Sequence, residues 1–331
     1  MPLPTTMPVP QFAGGGRITF GEKPMPTPGP GRLLIQVKAN ALCGSERGQF
    51  HGGSPITPGH EAAGVVAAAG PETHTPVGTP GVVFLMDFCG ACRSCRLGYT
   101  NQCEAKRADM GFSHDGGYGP YELVHENIFF PVSADVSLSE ATMLLDIMGT
   151  GGHAIARAQA VRPDIESVLV AGAGPIGLGV LAMAKLLLGP DIPVYLTDGI
   201  PYRLALAEAL GGIPLPLTER IPIVDAAIDT SGKEAARRSA VDALGKRGVL
   251  VCVGHGQGLT LDVSPDLIAT ERAVLGSEYF RYDELPANLE RLRAHRDYLA
   301  PIITHRYGTG EIQTAFETFF GGETGKVVIE Q

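Results

Sequence analysis

The stretch VLVAGAGPIGLGVLAMAKLLL, residues 168–188, decides the fold of this chain. It begins as an apolar β-type run that ends at Ala171, passes through a glycine-rich turn, and continues as a helix-forming segment from Pro175 to Leu188. A second β-type run follows at Pro193–Asp198, so the pattern predicts strand, helix and strand in succession. This alternation indicates a parallel, doubly wound sheet.

The residues beyond Asp198 continue the alternation. Pro201 lies near the start of a second predicted helix and Gly211 just past its end, positions that these residues favour. Between Gly211 and Val224 the prolines oppose a further helix, so we expect an irregular loop there. The remaining strands of the predicted sheet are Val224–Asp229, Val249–Gly254 and Ala273–Ser277.

The part of the chain before residue 150 differs in character. Short β-type runs alternate with turn signals, as in a β-rich barrel or sandwich; examples are Leu33–Val37, Gly64–Ala68 and Val82–Leu85. The last part, with a helix-like Asp283–Arg293 and a strand at Lys326–Ile329, is expected to return to this domain. Because 331 residues exceed the size of one ordinary core, we expect an α/β chain with a β-rich domain (1–150), a doubly wound domain (151–280) and a returning segment (281–331).

Composition and charge exclude several classes of protein. The chain is 44% hydrophobic and 18% charged, which is typical of globular proteins. Its formal net charge of -9 argues against a nucleic-acid surface. Residues 1–16 show no secretory signal, and the longest apolar stretch, Gly179–Leu188, is too short to cross a bilayer. We therefore expect a cytoplasmic protein without nucleic-acid or membrane partners.

Four cysteines form a compact cluster with the spacing C-x2-C-x2-C-x7-C: Cys89, Cys92, Cys95 and Cys103. Four thiolates this close in sequence can surround one Zn²⁺ completely, which is the pattern of a structural site. A pair of disulfides is an alternative that the absence of an export signal disfavours. An iron–sulfur cluster is a further alternative. The spacing predicts a closed structural zinc site.

The glycine turn after Ala171 suits a dinucleotide. Its glycines let the backbone approach a pyrophosphate, and the start of the following helix offers N–H donors to it. Asp198 is placed to accept hydrogen bonds from the ribose and to repel a 2′-phosphate, which favours NAD over NADP, although Arg203 could soften that preference. The alternative is a turn that only packs a helix on a sheet. The predicted cofactor-binding residues of this part are Gly172, Gly174, Pro175, Ile176, Gly177, Asp198 and Arg203.

Cys43 and His60 are suitable ligands for a second, open zinc site. In such sites three protein ligands leave the fourth position to water or substrate. The two residues lie in the segments Cys43-Gly44-Ser45 and Gly59-His60-Glu61. A lone cysteine or a lone histidine is more often a packed residue than a ligand, so the residues by themselves leave both interpretations open.

Nearly the whole chain resembles the zinc-containing medium-chain dehydrogenase/reductase family, which includes alcohol, polyol, sugar and threonine dehydrogenases. The resemblance implies a Rossmann-type doubly wound domain, a GroES-like β-rich catalytic domain, NAD and two zinc ions per chain. The matching segments, in the family's order and with similar separations, are Cys43-Gly44-Ser45, Gly59-His60-Glu61, the four-cysteine cluster, Asp115-Gly116-Gly117, the glycine turn and Gly325-Lys326-Val327-Val328.

The resemblance also implies roles for single residues. Cys43 and His60 would bind the catalytic zinc, and the third ligand would come from residues 144–151, where this chain has Asp146. Ser45 matches the hydroxyl that takes the substrate proton. Glu61 matches an acid close to the zinc that can replace water on the metal, and Thr150 matches a residue that packs against the nicotinamide.

Two points in this assignment carry alternatives. Many members have a relay histidine where this chain has Gly48; the nearby His51 is expected to substitute, unless the ribose hydroxyls pass the proton straight to water. Asp146 has apolar neighbours, so it should be buried, and a buried carboxylate needs a partner such as a metal. Its alternative role is an ion pair with Arg157 or a cap of the following helix.

The predicted function is hydride transfer between an alcohol or carbonyl substrate and NAD, with zinc polarising the substrate oxygen. One rival is a zinc-free enone or quinone reductase of the same superfamily, against which the four-cysteine cluster and Asp146 argue. The other is a non-catalytic NAD-binding protein. Secondary alcohols, polyols, sugars and amino alcohols all remain candidate substrates. Family members pair the strand matching Ala273–Ser277 with its symmetry mate, which implies a homodimer or a homotetramer.

Overall fold

The computed structural model describes residues 3–331. Strands separated by loops or helices occur along most of this range. The strands are β1 (Thr6–Gly14), β2 (Arg17–Pro24), β3 (Arg32–Ala41), β4 (Ala62–Ala69), β5 (Pro80–Val83), β6 (Met86–Asp87), β7 (Ala108–Asp109), β8 (Tyr121–His125), β9 (Phe129–Pro131), β10 (Val168–Ala171), β11 (Val194–Asp198), β12 (Ile213–Pro216), β13 (Val224–Asp229), β14 (Leu244–Cys252), β15 (Ala273–Gly276), β16 (Ile303–Gly308) and β17 (Lys326–Glu330).

The longer helices all lie after residue 150. The α-helices are α1 (Arg47–Gly52), α2 (Arg93–Arg96), α3 (Leu138–Ala141), α4 (Gly151–Val161), α5 (Pro175–Leu188), α6 (Pro201–Ala209), α7 (Glu234–Ala243), α8 (Val263–Asp266), α9 (Leu285–Ala294), α10 (Arg296–Leu299) and α11 (Ile312–Gly321). A turn of 3-10 helix, Gly44–Glu46, precedes α1, and a turn of π-helix, Asp146–Thr150, precedes α4. Within residues 3–331, none of the helices combines the length and the apolar character needed to span a membrane.

The six strands from β10 to β15 form one parallel sheet in the order β12-β11-β10-β13-β14-β15. The predicted doubly wound sheet is therefore confirmed. Helix α5 spans the predicted residues, with Pro175 in its first turn, and α6 begins at Pro201. Proline is favoured at these positions because the first N–H of a helix has no partner within the helix.

Residues 213–216 differ from the expectation of an irregular loop. They form β12, which pairs in parallel with β11 at the edge of the sheet, and no helix lies between β12 and β13. Pro214 and Pro216 lack an N–H, but an edge strand needs hydrogen bonds on one side only and so tolerates them. The expectation that the prolines exclude a helix here is confirmed, but they are compatible with the edge strand β12.

The β-rich part is built on a seven-stranded sheet with the order β16-β17-β3-β4-β5-β9, and β8 pairs with β3. Strand β17 lies antiparallel to β3, so the last strand of the chain joins the sheet that the earlier strands form. Strands β1 and β2 pair with each other in a separate two-stranded sheet. The α/β fold, with this part beside the doubly wound sheet, agrees with the fold class expected from the sequence. The division at residues 150 and 280 stays a prediction.

One hydrophobic core joins the two sheets. It includes Val82 of the seven-stranded sheet and Val170 of the six-stranded sheet. Tyr279 and Phe280, just beyond β15, each pack on Phe84 with ring centroids 5.1 Å apart. This packing buries the π-helical turn that begins at Asp146 and holds it between the sheets.

Candidate active site

Four side chains from three segments converge between the two sheets. Cys43 follows β3, His60 and Glu61 precede β4, and Asp146 opens the π-helical turn. One ligand atom of each lies within 4.8 Å of the others, and all four atoms are buried. The structure thus brings together the four residues that the sequence suggested for the catalytic zinc. We call them the ligand group.

Burial and mutual contacts shift the pKa values of the side chains in the ligand group. Burial lowers the pKa of His60, but hydrogen bonds to Asp146 and Cys43 outweigh it and raise the pKa well above 6.5. Burial raises the pKa of Asp146, but the hydrogen bond and charge of His60 hold it below its usual range. Burial raises the pKa of the Cys43 thiol. One sulfur, one nitrogen and carboxylate oxygens at one point are the donors that zinc prefers, so the residues fit this metal.

Asp146 is held by neighbours other than Arg157. Its Oδ2 lies 3.6 Å from His60 Nε2, and its Oδ1 accepts a hydrogen bond of 3.2 Å from the Thr150 hydroxyl. It lies in the π-helical turn rather than at the cap of a regular helix. The geometry therefore favours the ligand interpretation over the ion pair with Arg157.

Glu46 is a candidate positioning residue that the sequence interpretation missed. It is fully buried, and its Oε1 lies 3.1 Å from His60 Nδ1. Its Oε2 accepts hydrogen bonds from the Tyr118 hydroxyl at 2.7 Å and from the Cys43 amide at 3.3 Å. Glu46 therefore fixes the imidazole with Nε2 directed at Asp146. A carboxylate three residues after Cys43 was the available signal, because the short helical turn folds it back toward the cysteine.

Glu61 is paired with a lysine from the end of the chain, which the sequence interpretation also missed. Lys326 on β17 is fully buried and donates to Glu61 Oε1, while Glu61 Oε2 is buried and has no partner among residues 3–331. A buried carboxylate oxygen with no donor is costly, and a cation in the ligand group would relieve it. The Lys326 ammonium donates to only one of the two oxygens of that carboxylate.

The two other predicted catalytic residues, Ser45 and His51, are exposed, unlike the ligand group. Ser45 lies exposed on the 3-10 turn two residues after Cys43. His51 is exposed on α1, and its ring contacts Phe50 and Phe320, with centroids 5.1 and 6.0 Å away. Its part in a proton relay stays a prediction.

The four-cysteine cluster closes on itself. Its sulfurs lie within 4.8 Å of one another, including separations of 4.0 Å for Cys89–Cys95 and for Cys92–Cys103. Sulfurs around a tetrahedral zinc with bonds of about 2.3 Å lie about 3.8 Å apart. Hydrogen bonds from the backbone lower the pKa of Cys92 to about 6. All four cysteines are free, so the disulfide alternative is wrong.

The glycine turn has the geometry expected of it. Gly172 has φ +100, and a Cβ on Gly177 would lie 1.9 Å from the Gly172 carbonyl oxygen, so both positions require glycine. Asp198 accepts hydrogen bonds from the Ala173 amide at 2.8 Å and the Ile200 amide at 2.9 Å. The turn and Asp198 are therefore tied together at the carboxyl edge of the sheet.

Arg203 connects this edge to the other end of the chain. Its Nε donates to the Gly322 carbonyl at 2.9 Å, and its Nη1 lies 3.8 Å from Asp198 Oδ2. Beside Asp198 a cavity of about 610 Å³ opens, lined in part by Pro201, Pro214 and Leu217. Its walls combine apolar surface with three carboxylates, of which Asp198 is one.

A buried ion pair that the sequence did not indicate fixes the neighbouring loops. Arg237 on α7 donates from Nε to Asp229 Oδ2 at 2.7 Å and also donates to the carbonyls of Gly254 and Gln257. Asp229 Oδ1 accepts from the Ser231 amide at 2.9 Å. The loops after β13 and β14 are therefore locked together.

Comparison with known proteins matches both halves of the chain. Residues 29–134 match the alcohol dehydrogenase GroES-like domain, and residues 175–294 match the zinc-binding dehydrogenase model. An L-threonine 3-dehydrogenase of Deinococcus deserti is 30% identical over 341 residues, covering 92% of this chain and 93% of that protein.

Two solved structures illustrate the shared fold. A thermostable alcohol dehydrogenase from Pyrobaculum aerophilum with bound cobalt and zinc is 27% identical with a TM-score of 0.85, covering 98% of this chain and 100% of that one. The 2R,3R-butanediol dehydrogenase from Bacillus subtilis is 22% identical with a TM-score of 0.87, covering 98% of this chain and 99% of that one. The second likeness concerns the fold alone.

Proposed function

The chain belongs to the zinc-containing medium-chain dehydrogenase/reductase family, and from this membership we propose that Cys43, His60 and Asp146 hold its catalytic zinc. The protein is a zinc-dependent oxidoreductase that transfers a hydride between an alcohol and NAD. The observation that supports the ligand assignment is the convergence of a thiol, an imidazole and a carboxylate within 4.8 Å at a buried point. Glu61 is the candidate for a further or alternative ligand.

The protein residues around the ligand group orient the donors. With the Nδ1 proton donated to Glu46, the Nε2 lone pair of a neutral His60 would be free for a metal. Thr150 donates to Asp146 Oδ1 and leaves Oδ2 facing the same point. When bound, zinc supplies Lewis acidity at the substrate oxygen, and the nicotinamide carries the hydride. Three ligands would leave one position on the metal for the substrate.

Proton transfer is the role proposed for Ser45. Its hydroxyl lies exposed two residues after Cys43, so it can accept the proton of an alcohol bound beside the cysteine and release it to solvent. His51, exposed on the adjoining α1, is the proposed onward acceptor. Gly48 provides no titratable group in between.

The dinucleotide is proposed to lie along the carboxyl edge of the parallel sheet, with its pyrophosphate at the start of α5 and its adenosine in the cavity beside Asp198. A 2′-phosphate about 4 Å from Asp198 would meet a repulsion of up to ~4 kcal/mol at an effective dielectric of about 20. Arg203 offsets part of this repulsion, since it lies 3.8 Å from Asp198, but its Nε is already engaged with Gly322. We therefore expect the protein to prefer NAD. Asp198→Gly should lower the ratio of kcat/KM with NAD⁺ to kcat/KM with NADP⁺.

The four-cysteine cluster is proposed to hold a second, structural zinc with no open position. Free cysteines throughout the chain favour a reducing compartment such as the cytoplasm. For the substrate we propose an alcohol that carries a neighbouring polar group. Support comes from the L-threonine 3-dehydrogenase of Deinococcus deserti, whose named substrate has an amino group next to the reacting carbon.

The test of the ligand assignment combines metal analysis with Asp146→Asn. The wild-type protein should contain two zinc ions per chain, one for each group of ligands, and should reduce NAD⁺ with secondary alcohols or polyols. Asp146→Asn should retain one zinc, keep its fold and lose turnover by about 100-fold or more. Asp191→Asn, at an exposed aspartate, is the matched control and should retain both metals. If Asp146→Asn keeps both zinc ions and near-normal turnover, Glu61 becomes the third ligand.

A further inference from the structure

Tyr118 is a fully buried tyrosine whose hydroxyl reaches the carboxylate that contacts His60. The side chain is 0% exposed, and its hydroxyl donates to Glu46 Oε2 at 2.7 Å. A second acceptor, the Ala41 carbonyl, is 3.5 Å away, so the bond to Glu46 is the principal one. Glu46 Oε1 in turn lies 3.1 Å from His60 Nδ1. The three side chains thus form a line of hydrogen bonds that ends at a proposed zinc ligand.

The backbone at Tyr118 is bonded to the segment that carries His60. The three successive amides of residues 116–118 donate to carbonyls within residues 57–59 at 2.8, 2.8 and 3.1 Å. Gly59 has φ +107, and a Cβ there would lie 2.7 Å from the Tyr118 amide nitrogen and 3.0 Å from Cδ2 of its ring. Only glycine therefore lets the tyrosine approach this closely. The ring is held against the residue that precedes His60.

Aromatic side chains from two other elements enclose the Tyr118 ring. Phe12 on β1 stacks on it with the centroids 6.0 Å apart, and Phe316 on α11 meets it edge-on at 5.5 Å. Both phenylalanines are buried. Because a side chain in a close-packed core has little freedom to move, these contacts fix the position of the hydroxyl. Tyr118 is therefore a rigid hydrogen-bond donor.

The hydroxyl of Tyr118 decides how Glu46 divides its two oxygens. Burial, and after it the charge of Glu46, raise the pKa of Tyr118 well above 10, so the phenol stays protonated and donates. The other donor to Glu46 Oε2 is the Cys43 amide, at a longer 3.3 Å. A buried carboxylate oxygen that loses its nearest donor needs another partner, because buried polar atoms without hydrogen bonds are costly. Without the tyrosine hydroxyl, the carboxylate would be free to turn away from His60.

We propose that Tyr118 is a positioning residue for the catalytic zinc. It acts through Glu46, whose Oε1 it keeps directed at His60 Nδ1, so that the imidazole presents Nε2 to the metal. The proposal rests on the part of the proposed function that makes His60 a zinc ligand. It deepens that function, because it gives a hydroxyl outside the ligand group an influence on the affinity of the metal site.

The test is the zinc affinity of Tyr118→Phe, measured by competition with a chelator and metal analysis. The variant keeps the ring and deletes only the hydroxyl. It should bind the zinc of the ligand group roughly 3- to 10-fold more weakly, less than the effect of a direct partner of the histidine, because Tyr118 acts one step further from the metal. The zinc of the four-cysteine cluster should be released as in wild type.

Tyr282→Phe is the matched control. It also deletes a tyrosine hydroxyl, one that donates to the Phe129 carbonyl at 2.7 Å and makes no contact with Glu46. Its loss should affect stability but leave the affinity for both zinc ions unchanged. The comparison separates an effect on the metal from the general cost of losing a hydrogen bond.

Cobalt in place of zinc gives a readout that a merely structural hydroxyl would not change. The visible absorption of Co²⁺ depends on the type and geometry of its ligands. In Tyr118→Phe the bands of cobalt in the ligand group should shift, because the imidazole is held less firmly. The bands of cobalt bound to four thiolates should stay as in wild type, and Tyr282→Phe should change neither set.

The double variant Glu46→Gln/Tyr118→Phe tests the path of the effect. If Tyr118 acts through the Glu46 carboxylate, the double variant should bind zinc within about twofold of Glu46→Gln alone, since residues that act as a unit are not additive. Fully additive losses would show that Tyr118 reaches the metal by another route, and would overturn the proposal.

Two further results would overturn it. They are equal chelator resistance in wild type and Tyr118→Phe, and equal losses of zinc affinity in Tyr118→Phe and Tyr282→Phe. His60→Asn, measured in parallel, separates these from a failure of the ligand assignment. If His60→Asn retains both zinc ions, His60 is not a ligand and both proposals are wrong. If it loses one zinc while Tyr118→Phe behaves as wild type, the ligand assignment stands and only the positioning role is wrong.

Discussion

Glu46 is the carboxylate on which the orientation of His60 depends. It is buried with its two oxygens divided between the imidazole on one side and the Tyr118 hydroxyl on the other. Such outer partners fix the tautomer of a metal-binding histidine and raise its basicity. A glutamine at this position would keep an acceptor but lose the charge.

Glu46→Gln should therefore lower affinity for one of the two zinc ions by roughly 10- to 100-fold. Competition with a chelator, followed by metal analysis, measures this directly. The second zinc, in the four-cysteine cluster, should be released as in wild type. Glu22→Gln, at an exposed glutamate, serves as control. Unchanged chelator resistance in Glu46→Gln would show that the His60 contact has no influence on the metal.

Glu122 is a buried acid that no proposed reaction uses. It lies on β8 opposite Ile35, is 1% exposed, and neither carboxylate oxygen has a partner in residues 3–331. Burial, and secondarily the charge of Asp115, raise its pKa well above 4.5. The folded state thus holds this proton more tightly than the unfolded state. Stability should fall as the pH rises above 4.5 toward the folded pKa.

Glu122→Gln removes this titration. At about pH 4 the variant and wild type should unfold at similar urea concentrations, because Glu122 is then mostly neutral in both the folded and the unfolded state. At about pH 8 the variant should be more stable by roughly 1–3 kcal/mol. Urea unfolding at the two pH values measures the difference, with Glu22→Gln as the exposed control. A variant less stable than wild type at the higher pH would mean that Glu122 has a favourable partner when ionised.

The members of the ligand group could be predicted from the sequence, but the residues that contact and orient them could not. Cys43 and His60 were suggested by residue type, whereas Asp146 and Glu61 entered through family resemblance. Glu46 and Lys326 were missed for different physical reasons. Glu46 depends on a local turn whose direction is hard to foresee, and Lys326 reaches Glu61 only because β17 pairs with β3, a contact across 265 positions.

At the scale of elements, the four-cysteine cluster substitutes for a core. The residues from Cys89 to Cys103 are mostly half-buried or exposed, with α2 only four residues long. A closed thiolate site supplies folding energy to such a segment directly. The surrounding lobe also carries Asn101 and Thr100, which bond to the segment after β15.

Cys95→Ser should therefore lose one zinc and make the lobe sensitive to limited proteolysis, while the sheets remain folded. Metal analysis and mapping of the first cleavage sites provide the measurement. Cys252→Ser, at a half-buried cysteine outside the cluster, should retain both metals and the wild-type cleavage pattern. Retention of two zinc ions in Cys95→Ser would argue against a four-thiolate site.

Element boundaries were predictable where a residue fixes them and not elsewhere. Helix α5 begins at Pro175 as expected because the glycine turn leaves no freedom before it. Strand β14 begins at Leu244, five positions before the expected Val249, since Lys246 and Arg247 are exposed and do not show an apolar β pattern. Arg247 has φ +60, which also departs from ordinary strand geometry.

At the scale of the whole molecule, the two edges of the parallel sheet differ. The β12 edge carries Pro214 and Pro216, which cannot donate hydrogen bonds to another strand. The β15 edge has no proline, and its residues Ala273–Leu275 are half-buried and apolar. Of the two edges, β15 is the one suited to pair with another copy, which supports a homodimer or a dimer of dimers.

Light scattering at micromolar concentration should give a mass of at least two chains. Leu275→Lys places a charge on the β15 edge and should shift the protein toward the monomer. Ile213→Lys places the same charge on the β12 edge and should leave the assembly intact. A monomeric wild-type protein, or dissociation by Ile213→Lys alone, would contradict the assignment.

The pairing of β17 with β3 and of Lys326 with Glu61 affects the order in which the protein folds during synthesis. A ribosome delivers the N-terminal side of a chain first. Cys43, His60, Glu61 and Asp146 are thus all synthesised well before the strand that completes their sheet and supplies the buried ammonium. Until β17 emerges, β3 pairs with β4 but has no strand on its other side at residues 39–41, and the Glu61 carboxylate lacks its lysine. The active site is therefore among the last parts of a newborn chain to close.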